Sequence, residues 1–337
     1  MNKNKTKKRE MFKWMAGITI GTMATAAAAD ILVLGGNPPG SVFYTQAQAL
    51  AATITKHTEH RVDVLPQPGT VFFPMFGSQE VDLGIASPVE AKLAYDAEAP
   101  FSGANGGNGY DMKTVMLGSI NLLSLVTRES DNIESISDLR GRRVVADYGA
   151  FAGATKTSLA ALANAGLTED DIRIVRVSSY PEGVRAVMEG RADAAVGSVG
   201  SGILQELDAA SGARLLPIDP SPEAMARSQA VGAAFVPHQS EAGPVGINEP
   251  TYVLSYATTL YARPDMDEQN LRDVMNALWD HAGDLPEITR TLSTWTPEGY
   301  AHADAVIPFH DVAIEFYKEK GVWTDALEAR QAELLNP

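Results

Sequence analysis

The sequence predicts an α/β protein built from two successive series of alternating strands and helices. Three observations carry this. The chain has 337 residues, enough for about two domains that each bury a core. Short apolar runs of strand character alternate with stretches of helical spacing, and the alternation starts afresh near residue 136. Loops of small residues recur immediately before helix starts. Hydrophobic residues make up 45% and charged residues 20%, the balance of a globular chain rather than a disordered or membrane-spanning one.

The first 29 residues differ in kind from the rest. They carry Lys3, Lys5, Lys7, Lys8, Arg9 and Lys13, then an uncharged run from Trp14 to Ala29 that ends in small residues. A basic head, a short apolar run and an A-x-A-like end predict a secretory signal peptide over 1–29 and a periplasmic location. The run is too short and too weakly apolar to span a bilayer as a helix. Lys8-Arg9-Glu10-Met11-Phe12-Lys13 approximates a twin-arginine export signal, with Lys in the first Arg position.

From Asp30 onward the elements follow in order. Ile31–Leu34 is a strand closed by Gly35-Gly36-Asn37-Pro38-Pro39-Gly40, and Ser41 opens a helix to about His57. Val62–Leu65 is a strand and 67–72 a loop. Val81–Ala86 is a strand, and Ser87-Pro88 supplies a cap and a first-turn proline to the next helix. Residues 100–111 form a surface loop, and strands follow at 114–118 and 122–127. The second series has a helical turn at 136–139, strands at 143–146, 172–177, 192–196 and 215–218, and helices at 154–165, 181–189 and 203–207. A polar stretch (237–250) precedes a long strand at 252–262 that could cross back. Helices at 267–281, 285–291 and 307–320 complete the chain.

Several function classes are excluded or weakened. Lys+Arg number 27 against 42 Asp+Glu, a formal charge of -15, which argues against nucleic acid as a partner. There is no cysteine, hence no disulfide, thiol nucleophile or cysteine zinc site. Asn37 stands at the second glycine of a would-be GxGxxG, and two prolines remove amides a pyrophosphate would use. No P-loop, H-E-x-x-H or GxSxG frame occurs. His57 and His60, in a Lys/Glu/Arg-rich segment, read as a solvated face, so neither metal nor cofactor is expected.

What recurs is the small-residue loop before a helix, at 35–44, 67–72, 86–89, 148–155 and 197–202. Helix starts leave unsatisfied N–H groups and a partial positive charge. Several converging on one cleft make an anion site without lysine or arginine.

At these positions the chain resembles a TAXI-class solute-binding protein of the tripartite ATP-independent periplasmic (TRAP) transporters. The resemblance runs through Gly40-Ser41-Val42-Phe43-Tyr44, Pro68-Gly69-Thr70-Val71-Phe72-Phe73 and Gly77 to Ser87. It continues through Asp138-Leu139-Arg140-Gly141, Gly190-Arg191-Ala192-Asp193-Ala194-Ala195, and Pro308-Phe309-His310 with Tyr317 and Gly321. It implies a two-lobed, type II periplasmic-binding-protein-like fold, each lobe a mixed sheet flanked by helices, with the ligand in the cleft. Lobe one would be 30–122 plus 256–337 and lobe two 123–255. It implies binding rather than catalysis, by a monomer that captures a small organic acid (dicarboxylate, keto acid or amino acid) for a TRAP permease.

The site residues expected on that basis are Ser41, Phe43, Tyr44, Thr70, Val71 and Ser87 in the first lobe. Tyr148, Ala154, Thr155 and Ser198 are expected in the second. The chain departs from the family in carrying Ala152-Gly153-Ala154 where Ser-Gly-Thr is usual, and Phe72 or Phe73 in place of an Asn. The alternatives are a binding protein of an ABC transporter or sensor, and a secreted hydrolase using Ser198. Without the leader, 21 Lys+Arg face 41 Asp+Glu, a formal -20, so an anion site would have to be built locally from oriented amides.

Overall fold

A computed structural model describes residues 30–336; the leader expected over 1–29 lies outside the described residues. The chain opens with β1 (Ile31–Gly36), α1 (Val42–His57), β2 (Arg61–Pro66), α2 (Gly69–Gly77), β3 (Leu83–Ala86) and α3 (Pro88–Tyr95). β1 pairs in parallel with both β2 and β3. Ser41 caps α1 by accepting from the Tyr44 N–H, and Ser87 caps α3 by accepting from the Val89 N–H. The stretch 67–72, expected as a loop, is helical from Gly69 onward, because Pro68 sets the turn and Phe72, Phe73 and Phe76 bury on one side. Phe72 lies flat on the sheet, where side chains at Gly35 or Gly84 would each meet its ring at 2.6 Å.

β4 (Lys113–Arg128) is one strand of 16 residues where two were expected. Ser119, Ile120 and Asn121 look like a break in sequence, but neighbouring side chains satisfy the backbone there, although the buried Ser119 Oγ has no partner. Thr258 donates to the Ser119 carbonyl, and the Ile120 N–H donates to Thr294 Oγ1. The loop at 100–111 lies at the surface as expected, with Ser102, Gly103 and the run from Asn105 to Asn108 exposed. It is anchored to the core by Phe101 and Ala104, which are buried, and by Met112 just beyond it.

The second series comprises β5 (Arg143–Asp147), α4 (Ala152–Asn164), β6 (Arg173–Arg176), α5 (Tyr180–Met188), β7 (Ala195–Ser198), α6 (Gly202–Ser211) and β8 (Ala213–Leu215). Then come α7 (Pro222–Val231), β9 (Val236–Ser240) and β10 (Thr251–Ala262). β5 and β6 pair in parallel, but β7 and β8 both run antiparallel to β4. β10 runs antiparallel to β3, β4 and β9. The main sheet is therefore mixed, in the order β2-β1-β3-β10-β4-β7, with helices on its faces. β4 and β10 are its two long members. The first half of β4 faces the end of β10 near β3, and its second half meets β7 and β8.

α8 (Glu268–Asp280), α9 (Leu285–Ile288), α10 (Pro297–Tyr300), α11 (Asp311–Glu319) and α12 (Asp325–Leu335) finish the chain. The helix expected from Ile307 begins only at Asp311. Residues up to His310 run beside β4 instead, with the Thr114 N–H donating to the Pro308 carbonyl and the His310 N–H to the Thr114 carbonyl. His310 Nδ1 then caps α11 through the Val312 N–H. Trp295 is fully buried over the centre of β4.

Gly118, midway along β4, has no room for a side chain: a Cβ there would stand 1.9 Å from the Trp295 ring. Gly118→Ala is expected to destabilise the protein by about 2 kcal/mol or more, as overpacking of a closed core does. Thermal or urea unfolding checks this, and an unchanged midpoint would contradict the packing described.

Candidate functional site

One cavity lies where the helix starts of both series meet the middle of β4 and β10. It holds about 490 Å³ of unfilled space, part of it open to solvent. Asn37, Ser41, Val42 and Phe43 come from the first loop and α1, and Ser87 and Glu90 from α3. Phe151, Gly153, Ala154 and Thr157 come from α4 and the turn before it. Asn121, Leu123, Tyr180, Val196, Ser198 and Tyr256 close the other walls. Four of the five recurring loops thus reach this space. The fifth, at 67–72, stands behind it.

A hydrogen-bonded belt crosses the floor. Ser198 Oγ donates to Asn121 Oδ1 at 2.6 Å, and Asn121 Nδ2 donates to the Tyr256 hydroxyl at 3.2 Å. Tyr256 also bonds Ser87. The Ser198 N–H donates to the Tyr180 hydroxyl at 3.0 Å, which bonds Ser201 Oγ at 2.9 Å. Burial pushes both phenols up to about 12, so both stay neutral and available as donors. The belt stitches α3, β10, β4, β7 and α5 together at the cavity.

Of the expected residues, Ser41, Phe43, Ser87, Ala154 and Ser198 line the cavity together. The other five lie elsewhere. Tyr148 is fully buried behind the wall, where its hydroxyl accepts from the Val196 N–H at 2.6 Å. Thr155 Oγ1 accepts from the Tyr148 N–H and so braces that same turn. Tyr44 is half-buried one residue beyond the lining part of α1, and Val71 is exposed on α2. Thr70, also outside the lining, donates to the Ala150 carbonyl at 2.9 Å and so ties the start of α2 to the turn before α4. A second bond between the two series runs from the Ile203 N–H to the Gly40 carbonyl at 3.3 Å.

Sequence reasoning missed Glu90, Asn121, Tyr180 and Tyr256. Glu90 is the most unusual. It is 4% exposed, and its Oε1 has no hydrogen-bond partner. Three helix starts surround it: its own, that of α2 at Gly69, and that of α4 at Ala152 and Gly153. A Cβ at Gly69 would stand 2.9 Å from the Glu90 Cδ, so glycine is needed there to admit the carboxyl. Burial raises the group to about 8, and the Ala152 N–H partly offsets this. None of the described residues that line the cavity is Lys, Arg, His or Asp.

The histidines near 57–60 also differ from expectation. His60 is buried, with Nδ1 accepting from the Asp30 N–H and Nε2 placed 3.2 Å from Asp273. The partner that draws it in lies 213 residues away, on α8. His57 stacks on His281, with ring centroids 3.4 Å apart, beside Asp284. The two rings lie nearly parallel, 13° apart, so their in-plane lone pairs do not converge on one point as metal ligands must.

A family model described as the NMT1-like family matches residues 34–321. Among solved structures, one titled as a periplasmic transporter is 14% identical, with a TM-score of 0.53, covering 92% of this chain and 98% of that one. PhnD1 from Prochlorococcus marinus, solved in complex with methylphosphonate, is 12% identical with a TM-score of 0.52, covering 87% and 98%. At such identities the likeness is one of fold, and the α/β architecture with its curled mixed sheet is that of periplasmic binding proteins.

Two outcomes follow from this geometry. Tyr148→Phe strands the buried Val196 N–H and is expected to cost about 1–3 kcal/mol in chemical denaturation while leaving solute affinity unchanged. A loss of affinity without a loss of stability would return Tyr148 to the site. For Glu90 the folded value lies above the unfolded one, so its contribution to stability is full below about 4.5 and is lost as pH rises to about 8. The empty protein should therefore lose stability across that window, and Glu90→Gln should flatten that part of the profile.

Proposed function

The chain belongs to the NMT1-like family, and from that premise we propose that it is an extracytoplasmic solute-binding protein that hands a small organic acid to a membrane permease. The observation that carries the reading is the cavity itself, walled by helix starts from both series, which the Thr70–Ala150 and Ile203–Gly40 hydrogen bonds also join. Concave sites of this kind, apolar with a few placed polar groups, are built to hold a small molecule.

On this reading, lobe one is 30–122 plus 256–337 and lobe two is 123–255. The solute bridges them, and its better fit to the closed arrangement drives closure. Its carboxylate sits against the amides at the start of α1, with Ser41 and the Ser87–Tyr256–Asn121–Ser198 belt as polar partners. The order of motifs along the chain favours a TRAP permease of the TAXI class over an ATP-driven one. A hydrolase is disfavoured because the Ser198 hydroxyl donates to Asn121, an amide that cannot take its proton as a base would.

Calorimetry with a panel of carboxylic acids, amino acids, sulfonates and phosphonates should find at least one that binds one-to-one and raises the melting temperature. Ala154→Leu, which fills the cavity at the start of α4, should lower that affinity at least tenfold with little change in the melting of the empty protein. A panel with no binder, or a binder indifferent to Ala154→Leu, would overturn the site. Uptake that collapses with the ion gradient supports the TRAP reading, whereas uptake that tracks ATP hydrolysis supports the other.

A further inference from the structure

We propose that Glu90 is the anchor for a protonated amine on the solute, so that among small acids the cavity selects those that carry an ammonium group. This rests on the binding reading above and narrows its ligand. The first support is geometric. Glu90 lines the cavity, is almost wholly buried, and leaves Oε1 without any partner. An orphaned buried acceptor is costly, and a carboxyl in the wall of a binding cavity, with Oε1 turned toward Gly69 and Oε2 toward Gly153, is satisfied by a cation that reaches it.

The second support is charge. No lining residue among those described is cationic, so the chain itself offers Glu90 no counter-ion. The groups that face it are few. α2 (GTVFFPMFG) contributes no titratable side chain, only the Gly69 backbone and apolar rings. α4 presents Ala152 and Gly153, and its one titratable residue, Lys156, does not line the cavity. β10 presents the neutral Tyr256. On α3 itself, Lys92 is paired with Asp96.

The third support is preorganisation. The starts of α2, α3 and α4 converge on the carboxyl, and helix-start amides favour an ionised acid. The helix starts expected to receive a ligand carboxylate therefore receive, on this side of the cavity, the protein's own. What is missing for ionisation is a cation, and the solute brings it. In the empty cavity near pH 7 the carboxyl is protonated. When an ammonium group docks at the Glu90 carboxyl, that proton leaves to solvent, and an ammonium–carboxylate pair replaces the neutral acid.

The test uses the cleaved protein and two matched probe sets: the common L-amino acids, and the amine-free 2-keto and dicarboxylic acids of the same chain lengths. Members of the amine set should bind and their amine-free partners should bind at least tenfold more weakly. Titration in two buffers of different ionisation enthalpy should show close to one proton released per solute at pH 7. Affinity should rise about tenfold per pH unit between pH 6 and 8 and then level. Glu90→Gln keeps the shape and the Ala152 contact, and should abolish both the proton release and the pH dependence. Amine-free acids binding as well or better, or proton uptake in place of release, overturns the amine anchor while leaving the binding function standing. No binding from either set or from the wider panel overturns both. If Glu90→Gln does not fold, the sign of the proton exchange in the unmodified protein decides.

Discussion

The antiparallel pairing of β4 with β10 is the constraint on which the rest depends. These two strands run through the middle of the sheet, and nearly every other element is placed by reference to them. β3 lies beside β10, β7 and β8 lie beside β4, and Trp295 caps their midpoint. Because they pass under both series, the cavity does not sit on a loop surface. Its floor residues, Asn121 and Tyr256, occupy paired positions on adjacent strands, fixed by backbone hydrogen bonds. The polar belt that starts from this pair inherits the rigidity of the sheet.

The electrostatics of the cavity invert a simple reading of the sequence. A formal charge of -20 over residues 30–337, with several helix starts converging, suggests a local nest for an incoming anion. Glu90 already occupies part of that nest. Its neighbours make the space for it: Gly69 and Gly153 each leave out a side chain where the carboxyl lies. The favourable dipoles and the unfavourable burial oppose each other, and burial wins in the empty state, which leaves the acid protonated at neutral pH. A group balanced in this way responds strongly to a single added charge.

The alternation of strands and helices is legible in the sequence because hydrophobic period and cap chemistry agree, as at Ser41 and Ser87-Pro88. Parts that depend on distant partners are not. β4 reads as two strands because Ser119 to Asn121 look like a break until Thr258 and Thr294 are brought alongside. α7, β9 and α12 leave little signal because each buries little. α7 buries Ala224, Met225 and Ser228, the Pro-containing edge strand β9 buries only Ser240, and α12 buries Leu327 and Gln331. Glu90 is hidden by its local pattern, since Ser87-Pro88-Val89-Glu90 has the spacing of a capping box. In the fold, Ser87 caps Val89 instead and Glu90 turns inward. The hydroxyls at Tyr148 and Thr155 are legible as residues of the right loop, but which side of the wall they face is a matter of tertiary packing.

The Thr70–Ala150 and Ile203–Gly40 hydrogen bonds that join the two series also bear on rates. Each neutral bond of this type contributes about 0.5–1.5 kcal/mol net. Breaking both before the walls part would slow escape by roughly ten- to a hundredfold, small beside the range of residence times that binding sites span. On the binding reading, these two bonds would make only a weak latch. Dwell time would be left to the solute's own contacts with the floor, so that a poorly fitting molecule would be shed quickly and a well fitting one kept longer.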